Sequence, residues 1–135
     1  MYIGGWSRRE SIPYSNWTGL AISNDNGKTF FKKFNSPIID RTKDELYSAT
    51  AFFTLKYNGK FFAWYASGID WIKNKNKYEV VYVIKSATSE DGVNWDRDGK
   101  QVIDAAVKKI EATHRPTVIY KNGKHHMWFC YRGIN

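Results

Sequence analysis

The feature that most constrains this chain is that it repeats itself. Tyr57-Asn58-Gly59-Lys60, followed by Trp64-Tyr65, returns 64 positions later as Lys121-Asn122-Gly123-Lys124, followed by Trp128-Phe129. A second pair interleaves with the first: the stretch from Ser23 through Asp25 and Gly27 to Phe30 is echoed, at an offset of 66, by Ser89-Glu90-Asp91-Gly92-Val93-Asn94-Trp95. The opening Met1-Tyr2-Ile3-Gly4-Gly5 matches Trp64-Tyr65-Ala66-Ser67-Gly68 at an offset of 63. One recurring Asn-Gly-Lys would carry little weight, but three motif pairs sharing a period indicate stacked units of one architecture. A period this long, with strand signals throughout, points to an all-β fold of β-propeller blades. The shared offset also predicts equivalent, largely buried positions for Trp64 and Trp128.

The turn chemistry divides each unit into hairpins. Asn-Gly between alternating apolar runs favours a two-residue turn, because both residues accept positive φ. Asn58-Gly59 and Asn122-Gly123 therefore predict hairpins over 48–68 and 115–131, and Asp91-Gly92 predicts one over 78–102. A further hairpin is expected over 17–36, turning at 23–29. Between the last two hairpins, Ile103, Ala106, Val107 and Ile110 follow helical spacing, which predicts one or two helical turns there. Two hairpins per period make four antiparallel strands, or one blade. The chain then divides into a half blade (1–40), a full blade (41–104) and a half blade (105–135). That is about two blades, too few to close a ring, so the sequence reads as part of a longer propeller or as a chain whose edges need partners.

Composition agrees. Aromatic residues make up 17% of 135 residues, with six Trp and nine Tyr, while Leu is scarce; strands packed through large flat side chains suit that balance. The single cysteine, Cys130, excludes an internal disulfide; its apolar neighbours predict a buried, inert thiol. No run approaches the ~18 apolar residues of a membrane span, and no signal peptide opens the chain. The expectation is a soluble, cytoplasmic protein without a membrane partner. The net charge of +8 is dispersed over turns, so it predicts a general attraction to polyanions and no specific nucleic-acid partner.

The segment Arg115-Pro116-Thr117-Val118-Ile119-Tyr120-Lys121-Asn122-Gly123-Lys124, with Met127-Trp128-Phe129 and Tyr131-Arg132-Gly133, resembles a blade segment of the five-bladed propeller glycosidases. Those include arabinanases, β-xylosidases, invertases and levansucrases, with the related mannoside phosphorylases. The run from Ile84 to Trp95, through Ala87-Thr88-Ser89-Glu90-Asp91-Gly92, resembles another of their hairpins. A rival resemblance is to the Asp box of sialidases, carried by Ser23, Asp25, Gly27 and Thr29 with Phe30 in place of Trp. The second copy is one residue shorter between Asp and Trp, and no evident arginine triad awaits a sialic carboxylate, so the glycosidase group fits better. These motifs specify blade architecture more than substrate.

The resemblance implies a site at the mouth of the central tunnel, where carboxylates near the starts of innermost strands act. Glycoside hydrolysis needs one carboxyl protonated for the leaving oxygen and another ionised. Glu111, four residues before Arg115-Pro116, is the first catalytic candidate, and Asp44 and Glu45 are the others. His114 and Arg115 would tune an acid or bind sugar hydroxyls. Asp70 and Trp71, just past an inner hairpin, would overhang a sugar. A carbohydrate is thus the expected ligand. His125 and His126 face opposite sides of a strand and cannot chelate together, so no metal and no cofactor is expected. Exposed blade edges predict association between copies. Two other readings stay open: a non-catalytic carbohydrate-binding or assembly module, and an inactive remnant of a truncated reading frame.

Overall fold

The structure is a computed structural model that describes residues 1–103 and 111–133. Every regular element among the described residues is a strand: β1 (Tyr2–Arg8), β2 (Tyr14–Ile22), β3 (Phe31–Lys32), β4 (Ser48–Tyr57), β5 (Lys60–Asn74), β6 (Lys77–Ser89), β7 (Ala112–Lys121) and β8 (Lys124–Arg132). The helical turns expected over 103–110 lie, from residue 104 on, outside the described residues.

The middle of the chain forms an antiparallel blade of three strands. β4, β5 and β6 pair in sequence order, and the isolated bridges Thr88↔Asp96 and Lys85↔Gln101 line the outer edge of β6. The β4–β5 turn closes at Tyr57↔Lys60, with Asn58 and Gly59 at φ 48° and 80°. That left-handed pair is what the hairpin geometry demands and what Asn-Gly supplies without strain. Before this blade, β2 carries β1 on one edge and β3 on the other, with Ile39 bridged to Thr18. A single parallel bridge, Asn16↔Ser48, joins the two units. β7 and β8 form a separate two-stranded sheet that packs on the middle blade, where the Tyr57 and Tyr120 rings lie 4.5 Å apart.

The offset of 64 reappears in the backbone itself. β4 carries one extra residue against β5 between Thr50 and Phe53, and β7 carries one against β8 between His114 and Thr117. The extra residue bends each strand through a left-handed conformation, with Ala51 at φ 52° and Arg115 at φ 51°. The serine–aspartate turns also correspond. Ser23 Oγ accepts from the Gly27 N–H at 2.8 Å, and Ser89 Oγ accepts from the Gly92 N–H at 2.9 Å. Asp25 holds the Thr29 N–H at 2.9 Å, and Asp91 holds those of Val93 and Asn94 at 2.8 Å. Both aspartates are turn formers.

The core lies where the first unit meets the middle blade. Ile39, Ala49, Ala63, Tyr65 and Ala87 form it, with Ile38, Phe52 and Trp95 packed against them. Tyr2 reaches in from β1, 5.1 Å from Phe52 and 5.9 Å from Trp95, and its hydroxyl donates to the Gly92 carbonyl at 2.8 Å.

Three expectations need correction. Trp64 and Trp128 are not equally buried: Trp64 is half-buried and Trp128 is 59% exposed. Trp64 sits in a blade flanked by β6, whereas no third strand flanks β8 among the described residues. Cys130, on the same strand, is exposed for the same reason. The third correction is that β5 runs to Asn74 and forms a long hairpin with β6, where the sequence marks a hairpin ending at 68. A one-residue bulge between Gly68 and Asp70 breaks the alternation there. The turn beyond it, Lys75-Asn76, contains no glycine, and Lys75 itself takes φ 54°.

Candidate functional site

β4 and β7 begin at Ser48 and Ala112, and the candidate site surrounds these two starts. Ser48 pairs with Gly68, so the β5–β6 hairpin from Ile69 onward projects past the end of β4. The close approach at that crossing requires glycine, since a Cβ on Gly68 would stand 2.7 Å from Ser48 Oγ. Beside the projecting hairpin runs the β1–β2 loop. A cleft of about 350 Å³ separates them, lined by Arg9, Glu10, Ser11, Ile12, Pro13, Trp71 and Tyr78.

Aromatic rings continue from the cleft along the surface. Trp71 meets Tyr14 edge-on at 4.9 Å, and Tyr14 meets Trp6 edge-on at 6.4 Å; Trp6 is 66% exposed. Asp70 is exposed and its Oδ1 accepts from the Trp71 N–H at 2.8 Å, which fixes the bulged backbone beneath the indole. The projecting hairpin is tied down at its base, where Arg132 of β8 pairs with Glu79 at 2.8 Å and donates to the Val80 carbonyl at 3.1 Å.

At the start of β7, His114 packs edge-on against Tyr82 at 4.6 Å, and Asn16 Nδ2 donates to the Tyr82 hydroxyl at 3.0 Å. Burial, with Arg115 adding a like charge, lowers the His114 pKa below its ordinary value, so the ring is neutral at pH 7. Burial and neighbouring Tyr14 raise the Tyr82 phenol. Arg115 is exposed, at the left-handed bulge. Glu111, half-buried just before β7, accepts a hydrogen bond from Tyr131, whose pKa is raised by that bond. The fold thus groups Glu111, His114 and Arg115 on one strand start, and Asp70 and Trp71 on the hairpin beside the cleft.

Asp44 and Glu45 are placed quite differently from each other. Asp44 is solvent-exposed and pairs with Lys43 at 2.7 Å. Glu45 is 3% exposed, enclosed within the blade. It accepts from Tyr65 at 3.0 Å and Ser67 at 2.9 Å, and pairs with Lys85 at 3.2 Å and Arg97 at 2.8 Å. Both of its carboxylate oxygens are thus engaged by cations and hydroxyls of the protein itself. The polar run around Glu45 suggests solvent or catalysis. The signal that points elsewhere is Lys85, set in the apolar strand Val83-Ile84-Lys85, because a lysine on a buried face needs an anion. Among the described residues no group of three or more His, Cys, Asp or Glu could hold a metal ion, and no helix is long and apolar enough to cross a membrane.

No family model matches the chain. Two uncharacterized proteins of Mycobacterium tuberculosis, from strains CDC 1551 / Oshkosh and ATCC 25618 / H37Rv, are each 30% identical over 133 residues. The alignment spans 98% of this chain and 44% of each relative, so the chain covers less than half the length of the curated relatives it matches. Among solved structures, a glycoside hydrolase is similar with a TM-score of 0.65 at 20% identity, over 96% of this chain and 36% of that one. A second solved structure, a complex described as BT0996 with RGII, is similar with a TM-score of 0.62 at 17% identity, over 98% of this chain and 40% of that one. At such identities the likeness is one of fold: the strands of this chain are arranged as part of a glycoside hydrolase domain is.

Proposed function

We propose that this chain is part of a five-bladed propeller that binds a glycoside at the end where β4 and β7 begin, with blade divisions at 1–40, 41–104 and 105–135. The observation that carries the reading is the aromatic-walled cleft beside those strand starts, with Trp71 and Tyr78 on its wall and Trp6 and Tyr14 continuing from it. Flat rings lining a cleft, with Tyr78 and Trp6 exposed, suit the apolar face of a pyranose; Asp70 beside Trp71, and His114 and Arg115 at the start of β7, offer polar groups.

Glu111 is the carboxyl we assign to chemistry. It stands at an inner-strand start, where the Tyr131 phenol donates a hydrogen bond to it. Glu45 we assign to holding the blade, and Asp44 to the solvated surface. Hydrolysis needs a second carboxyl about 5–10 Å away, which in a full ring would come from another blade. Binding without turnover is therefore the expected behaviour of these 135 residues.

Titrating the chain with neutral oligosaccharides while following tryptophan fluorescence tests this. A saturable change that Trp71→Ala removes is expected. Glu111→Gln should leave binding nearly unchanged while abolishing any hydrolysis seen with a longer form of the protein. No saturable response to any sugar, neutral or charged, would overturn the reading.

A further inference from the structure

We propose that the sugar bound here carries an oxyanion, and that Arg8, Arg9 and Arg41 form the subsite that receives it. The inference rests on the glycoside-binding reading above and names its substrate class. In sequence Arg8 and Arg9 are adjacent, while Arg41 lies more than 30 residues away. The fold brings them onto one open cleft of about 620 Å³, lined by Arg8, Arg9, Glu10, Ser11, Ile12 and Arg41. This cleft shares Arg9, Glu10, Ser11 and Ile12 with the aromatic one, so the two clefts border the same β1–β2 loop.

The three arginines are not equivalent. Arg9 is anchored, its Nε donating to Ser15 Oγ at 2.7 Å and its guanidinium lying over the Trp17 ring at 5.8 Å. Arg8 and Arg41 are exposed and form no ion pair among the described residues. The acidic side chain lining the same cleft is Glu10, against three cations. An anchored guanidinium flanked by two uncommitted ones suits a planar or tetrahedral oxyanion, which takes forked N–H donors in pairs. The surplus charge also attracts an anionic ligand before contact. Carboxylate on a uronic acid and phosphate on a sugar share this chemistry.

The test is calorimetric titration of the whole chain with four probes: an oligogalacturonide, its fully methyl-esterified form, a hexose 1-phosphate and inorganic phosphate. The oligogalacturonide or the sugar phosphate should bind roughly tenfold or more tightly than the esterified form, and the advantage should shrink as salt screens the charges. The first arm identifies a carboxylate, the second a phosphate. The double substitution Arg8→Gln with Arg41→Gln, both on the surface, should erase the advantage and leave affinity for the esterified form unchanged. Equal binding of charged and esterified sugars would overturn this inference while leaving the glycoside reading intact. Inorganic phosphate binding as well as the best sugar would also overturn it, as would an undiminished advantage in the double variant. Failure of every sugar would remove both readings together.

Discussion

The β4–β5 hairpin and the β7–β8 hairpin are built on one plan, with the same turn, the same bulge and the same left-handed residue 64 positions apart, yet their side chains meet different fates. Tyr65 is fully buried, while Phe129, its counterpart, is 41% exposed. Trp128 and Tyr131 on the same strand are 59% and 56% exposed. The difference is in what lies beside each hairpin. β5 has β6 and the Glu45 cluster against it, whereas β8 has one paired edge and one open edge among the described residues. A motif therefore specifies a backbone, and burial is conferred by neighbours.

The largest effects expected from this comparison concern the closed blade. Tyr65→Ala should cost about 3–5 kcal/mol in denaturant unfolding, as for other large buried rings, while Phe129→Ala should cost under about 1 kcal/mol. Glu45→Ala leaves the buried Lys85 and the partly buried Arg97 without their carboxylate and should cost about 3–5 kcal/mol. Its neighbour Asp44 lies in solvent, and Asp44→Ala should stay within about 0.5 kcal/mol. Equal losses within either pair would show that the two hairpins, or the two adjacent acids, are not in the distinct settings described.

Next in size is the behaviour of β8 in solution. Trp128, Phe129 and Tyr131 beside an open edge favour association, as unpaired strands with exposed apolar faces do. Light scattering should show concentration-dependent association, and Trp128→Lys together with Phe129→Lys should reduce it. A monomer at all concentrations would mean that this surface is tolerated as it stands.

A smaller effect belongs to the two serine–aspartate turns. Hydrogen bonds from Ser23 and Thr29 lower the Asp25 pKa to about 2, and backbone bonds from Asn94 and Val93 lower that of Asp91. Both folded-state values lie below the unfolded one, so their stabilisation is present above about pH 4 and is lost as pH falls toward 2. Thermal unfolding between those limits should show a decline that Asp25→Asn flattens in part. Asp91→Asn should flatten it further, because that turn lies beneath the closed blade, where Tyr2 bonds the Gly92 carbonyl.

The fold is legible where the local chemistry is decisive. Asn58-Gly59 and Asn122-Gly123 accept conformations few other pairs do, so their hairpins can be read directly. The β5–β6 hairpin cannot, since Lys75 turns left-handed without glycine and the bulge at Ile69 breaks the alternation. Of the site, the Glu111–Arg115 neighbourhood and Trp71 can be nominated from motif and position. The cleft cannot, because it joins residues 9–13 to residues 71 and 78, and only the fold brings those together. Glu45 stands out in sequence as an acid before a strand, but its enclosure depends on Lys85 and Arg97, 40 and more residues away.

The paired bulges carry one more consequence. Ala51 and Arg115 share a left-handed backbone and nothing else: one is a half-buried methyl and the other an exposed cation. The bend is set by the register shift against the paired strand, so the side chain at its apex is an interchangeable fitting on a fixed bracket. Any residue that tolerates this φ can be installed there at a small conformational cost, and Arg115→Gly should even relieve about 1 kcal/mol of it. Since the bracket at 115 stands beside His114, its occupant can be exchanged to retune what the strand start offers a ligand without rebuilding the strand.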